Sequence, residues 1–91
     1  RMFKVGQTYK VKLSLETDSS GIGRATVVGM DSRYLYFRLR NSEGKRTELS
    51  RGAKIWFVGA SVDNRFNGLW YSEVSGNRII NGISAMECRL P

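Results

Sequence analysis

Ninety-one residues with a formal charge of +7, ten glycines, one proline, one cysteine and no histidine describe a single small domain rather than a multidomain enzyme. Without histidine the chain cannot build Ser-His-Asp, Cys-His or His-based zinc sites, and a lone Cys88 closes no internal disulfide. No apolar run approaches the roughly 20 residues that cross a bilayer as a helix, and a disulfide-free domain of this size is expected in the reducing cytoplasm.

In chain order, Val5 to Glu16 alternates, with Tyr9, Val11, Leu13 and Leu15 on one side and Lys10, Lys12, Ser14 and Glu16 on the other, the pattern of a half-buried strand. A polar stretch from Thr17 to Gly23 interrupts it as a hairpin loop, and the β-prone run Arg24 to Met30 follows. Asp31-Ser32-Arg33 reads as a turn. From Tyr34 to Arg40, a period of two directs Leu35, Phe37 and Leu39 inward and Arg38 and Arg40 outward.

Asn41 to Lys45 is a second polar turn, Arg46 to Leu49 a short returning strand, and Ser50-Arg51-Gly52 a break before the apolar run Ile55-Trp56-Phe57-Val58, expected to be central. After a Ser61 to Asn64 loop, Phe66, Gly68, Trp70, Ser72 and Val74 share one strand face, and Ser75-Gly76-Asn77 is the next reversal. The final stretch groups Ile80, Ser84, Met86, Cys88 and Leu90, with Gly82 as a bend within the strand. Six or seven short strands with no helical stripe predict an all-β fold over 1–91, a small antiparallel β-barrel closed to protect its edges.

No carboxylate pair, nucleophile constellation or metal-ligand spacing stands out, so the expectation is a binding domain with no catalytic residues, metal or cofactor. Cys88 falls on the apolar face, where a thiol packs and resists ionisation. Gly21-Ile22-Gly23 lacks the lysine of a P-loop and the third glycine of a dinucleotide turn. Seven of the fifteen cations lie between Arg33 and Lys54 against Glu43 and Glu48. Arg38, Arg40, Arg46 and Arg51, with Tyr36 on the outward face of its strand, are therefore the candidate ligand- or partner-binding residues. A solvated sheet face would carry the same residue types. Tyr34, Tyr36, Trp56, Trp70 and Tyr71 would stack nucleic-acid bases if they surfaced beside this stretch, but Trp56 and Trp70 are expected in the core.

The order of elements resembles the PilZ superfamily, in particular the N-terminal accessory barrel of bacterial flagellar-brake proteins. The resemblance runs through Val5-Gly6-Gln7, Val27-Val28-Gly29-Met30, Leu35-Tyr36-Phe37, Leu49 and Gly52 before Ile55-Trp56-Phe57, Trp70 to Val74 and Leu90-Pro91. It implies a PilZ-like or split barrel, the chain being one part of a two-domain protein whose PilZ domain grips cyclic-di-GMP through an arginine-rich linker and a D/N-x-S-x-x-G loop. No such arginine pair precedes the first strand. Asp18 to Gly23 matches D-x-S-x-x-G literally but lies in the first hairpin rather than after the expected strand. The implied function is a non-catalytic regulatory domain controlling flagellar motility or surface behaviour, with the adjacent PilZ domain or another protein as partner. The alternative is an RNA- or single-stranded-DNA-binding barrel.

Overall fold

The computed structural model describes residues 3–13, 21–60 and 70–90. Alternating apolar and polar residues form seven strands: β1 Thr8–Lys12, β2 Ile22–Met30, β3 Tyr34–Asn41, β4 Arg46–Thr47, β5 Lys54–Ala60, β6 Trp70–Ile80 and β7 Ile83–Arg89. All pairings are antiparallel. The order β2-β1-β5-β6-β7-β3 closes on itself through β2–β3, making a six-stranded barrel with β4 added to the end of β3. Closure removes the open edges along most of the sheet.

A ring this small must turn sharply. Register shifts between Lys10 and Val11, Val27 and Gly29, and Val74 and Gly76 supply the local bends. Tyr9, Val11, Ala25, Val27, Leu35, Phe37, Leu39, Ile55, Phe57, Val74, Met86 and Cys88 form one buried cluster, in which Tyr9, Val11, Leu35, Phe37, Leu39, Val74, Met86 and Cys88 lie on the faces the period-two reading gives them. Each large side chain so buried contributes on the order of 1.5–3 kcal/mol. Phe3 plugs one end, its ring 5.0 Å from Tyr9, 5.2 Å from Phe57 and 4.9 Å from Trp70.

Several boundaries differ from the sequence reading. The first strand is Thr8–Lys12 rather than the whole of Val5 to Glu16; Leu15 and Glu16, like Phe66, Gly68 and the Asp18 to Ser20 part of the glycine-containing loop, lie outside the described residues. The reversal expected at Ser75 to Asn77 is a bulge inside β6, which continues to Ile80. The chain turns instead at Asn81-Gly82, where φ is 50° and 79°. Positive φ at both central residues is the two-residue hairpin geometry that Asn-Gly favours, because its twist matches that of the flanking strands. Gly82 is thus a turn residue and not a bend within a strand.

Gly23 is needed for a different reason. A Cβ there would stand 2.6 Å from the Arg40 carbonyl oxygen, a backbone atom fixed by the β2–β3 ladder. Gly23→Ala is expected to lower the free energy of unfolding by about 1–3 kcal/mol, measured by urea denaturation. An unchanged midpoint would show that the two strands are not held this close.

Candidate functional site

The strand register creates a feature that no single stretch of sequence displays. Lys10 of β1 lies opposite Arg24 of β2, Arg24 lies opposite Arg40 of β3, and Arg40 lies opposite Arg46 of β4. All four are exposed, and even numbering puts them on the outer face of their strands, away from Tyr9, Val11, Gly23, Ala25 and Leu39. Adjacent strands are about 4.8 Å apart, so four cations stand side by side across four strands. Arg38 adds a fifth on β3, opposite Thr26, whose hydroxyl lies 2.8 Å from that of Thr8.

Like charges directly opposite destabilise a sheet, and no described acidic residue pairs with them. Among the described residues the ion pairs are Lys45–Glu43 at 3.7 Å and Arg78–Glu87 at 2.9 Å, neither of which involves the row. Two of its guanidinium groups are held by backbone oxygens: Arg40 Nη1 donates to Gly44 O at 2.8 Å and Arg46 Nη2 to Ser84 O at 3.4 Å. Each guanidinium has five N–H groups, so most remain available to an anion.

The structure brings Arg38, Arg40 and Arg46 together and extends them with Lys10 and Arg24. Arg51 sits elsewhere, exposed in the turn whose Gly52 N–H donates to Val74 O at 2.8 Å. Tyr36 shares the outer face of β3 but is half-buried, and its hydroxyl donates to Asp31 Oδ2 at 2.8 Å. That hydrogen bond pushes its pKa up to about 12. Asp31 Oδ1 also accepts the backbone N–H of Arg33 at 2.8 Å and of Tyr34 at 2.7 Å, which shapes the turn before β3.

Trp56 is not a core residue. It is half-buried on the outer face of β5, opposite Lys12 on one side and Tyr71 on the other, its ring 5.5 Å from that of Tyr71. Tyr71 is 48% exposed. Trp70 does pack inward, 5.0 Å from Phe57. In a ring ordered β2-β1-β5-β6-β7-β3, the aromatic pair on β5–β6 lies three strands from the arginines of β2–β3, on the opposite flank. A groove of about 450 Å³ beside it is lined by Tyr34, Trp70, Tyr71, Glu73 and Arg89, where one acid and one base leave no net charge.

The sequence reading also missed Glu87, which is 4% exposed on the outer side of β7. Ser75 donates to its Oε1 at 2.8 Å and Arg78 Nε to its Oε2 at 2.9 Å. The bulge in β6 supplies Ser75 as the extra residue, so the irregular backbone and the buried acid belong together. Cys88, beside it, is buried and its thiol is pushed up to about 12 by desolvation, which removes the thiolate needed of a nucleophile.

No family model, curated protein or solved structure matches the chain. Among the described residues no group of three or more Cys, Asp or Glu is placed to hold a metal ion, and no helix is long and apolar enough to cross a membrane.

Burial pushes the Glu87 carboxyl up, but the Arg78 and Ser75 hydrogen bonds and the Arg78 charge outweigh it and hold the pKa below its ordinary 4.5. Above that value the stabilisation is complete; as pH falls through the folded-state value the folded carboxylate takes up its proton and the stabilisation is lost. Urea midpoints are therefore expected to fall as pH drops below about 4.5, and Glu87→Gln is expected to lower the midpoint near neutrality while flattening this acid dependence. Asp31, also held below its ordinary value, leaves a residual slope in the variant. Identical pH profiles for the two proteins would contradict the arrangement.

Proposed function

We propose that this barrel is a non-catalytic regulatory or interaction domain of a cyclic-di-GMP-responsive, PilZ-type cytoplasmic protein that controls flagellar motility or surface behaviour. The resemblance of its sequence elements to the PilZ superfamily supplies the pathway. The row Lys10, Arg24, Arg40 and Arg46, with no ion-pair partner among the described residues, supports the contact chemistry. Four cations held side by side at a cost to the fold form a surface for carboxylates or phosphates on a partner. An acidic face of another protein would pair with them and remove their mutual repulsion.

In this mechanism a neighbouring PilZ domain captures cyclic-di-GMP, and the change in packing between the domains exposes or re-aims the basic face. The barrel carries no step of bond-making. It relays ligand occupancy through charge complementarity, which governs association rate and register.

The competing reading is an RNA- or single-stranded-DNA-binding barrel, favoured by the Trp56–Tyr71 pair with Lys12 alongside. Base stacking and backbone attraction work together when aromatic and basic groups line one path. Here the pair adjoins the β1 end of the cation row through Lys12, while the arginines of β2 and β3 lie across the ring, so a strand must pass over β1 to use both.

Arg40→Glu combined with Arg46→Glu in the intact protein tests the choice. The double variant is expected to keep its melting temperature, because both side chains are exposed, and to lose cyclic-di-GMP-dependent control of swimming in soft agar. Normal control by the double variant would contradict the proposal. Saturable oligonucleotide binding by the wild type that weakens steeply with salt and is lost in Trp56→Ala would establish the competing reading.

A further inference from the structure

The ring does not cover every edge. β6 is the longest strand, and its first four residues, Trp70 to Glu73, pair with β5 while Val74 and Gly76 to Ile80 pair with β7. On the β5 side the last backbone contacts are Gly52 N to Val74 O and Val74 N to Ala53 O, both at 2.8 Å. Beyond Val74 no described residue is hydrogen-bonded to that side of the strand. Among the described residues, the β6–β7 hairpin is therefore an arm with one open edge.

The turn fixes which backbone groups lie on this edge. Ile80 and Ile83 flank the two-residue Asn81-Gly82 turn and form the hydrogen-bonded pair nearest to it. Alternation then directs the N–H and C=O of Arg78 and Ile80 toward β7, and those of Asn77 and Ile79 outward. Both outward residues are exposed, Ile79 at 70%. Lysine and proline are two of the devices that protect natural edges; residues 74–86 contain neither, and Arg78 and the Ser75 bulge lie nearer the root than Ile79.

A strand edge accepts any extended backbone, so charge selects the occupant. Residues 74–86 carry one charge, Arg78, and Glu87 matches it at 2.9 Å. The arm is thus neutral in a chain of net charge +7. An acidic segment is drawn to the β1–β4 face instead, and a basic one is repelled by the molecule as a whole. The same neutral edge on another molecule meets neither obstacle.

We infer that the open edge of β6 at Asn77 and Ile79 pairs antiparallel with the same edge of a second copy of this chain. With Asn77 of one copy facing Ile79 of the other, the two-fold axis repeats the pair and four N–H···O bonds form. Arg78 then lies opposite its symmetry mate, and each is already held by its own Glu87. The result is a dimer whose sheet continues from one barrel into the next, with both basic rows left open.

Sedimentation equilibrium of the chain from micromolar to millimolar concentration tests this. The expected result is a reversible shift from the 10.3 kDa monomer to twice that mass. Asn77→Pro removes an N–H that the monomer's own ladder does not use, and Ile79→Lys places a charge on the edge. Each is expected to weaken association by at least about tenfold with an unchanged circular dichroism spectrum. In hydrogen exchange, the amides of residues 77 and 79 are expected to gain protection at high concentration. A wild-type chain that stays monomeric at millimolar concentration, or a dimer that both variants leave intact, would overturn the inference.

Discussion

Pairing of β2 with β3 is the constraint on which the rest of this molecule depends. It closes an otherwise open sheet into a ring, and it brings Gly23 so near the Arg40 carbonyl that no side chain fits between them. The same ladder fixes Arg24 opposite Arg40, with β1 and β4 extending the line to Lys10 and Arg46. Closure and charge display are two consequences of one register. A slip of one residue would bury these cations and expose Ala25, Phe37 and Leu39.

The outer surface divides by chemistry. The cation row runs across β1 to β4, Trp56 against Tyr71 adjoins its β1 end, and the β6–β7 arm is neutral with a backbone edge that no described residue covers. The buried polar side chains among the described residues are Ser72, which donates to Arg89 O, and Glu87, which ties the bulge residue Ser75 and the guanidinium of Arg78 to β7. Such a buried acid specifies one arrangement of the arm only because every oxygen finds a donor; removing one partner would leave the charge uncompensated.

Alternation made much of the fold legible in the sequence. Leu35, Phe37 and Leu39 inward with Arg38 and Arg40 outward is a strand pattern with one solution, and the buried positions of Tyr9, Val11 and Cys88 follow by the same rule. The hairpin at Asn81-Gly82 was also written there, but Ser75-Gly76-Asn77 offers a competing run of turn residues and the bulge absorbs it within the strand. Trp56 misled because a four-residue apolar run does not show which of its members face out. The site was half legible: Arg38, Arg40 and Arg46 come from one stretch, whereas Lys10 and Arg24 join them only through pairings between distant strands. Arg51, near in sequence, is directed elsewhere by the Gly52 turn.

The central claim is that the row across β1 to β4 is where anionic partners dock. Titrating the isotopically labelled chain with a poly-glutamate peptide, while following backbone amide resonances, tests it most directly. The account predicts saturable shifts centred on Lys10, Arg24, Arg40 and Arg46 that vanish as salt is raised. Shifts centred on Trp56 and Tyr71, or small shifts spread evenly over the basic residues, would contradict it.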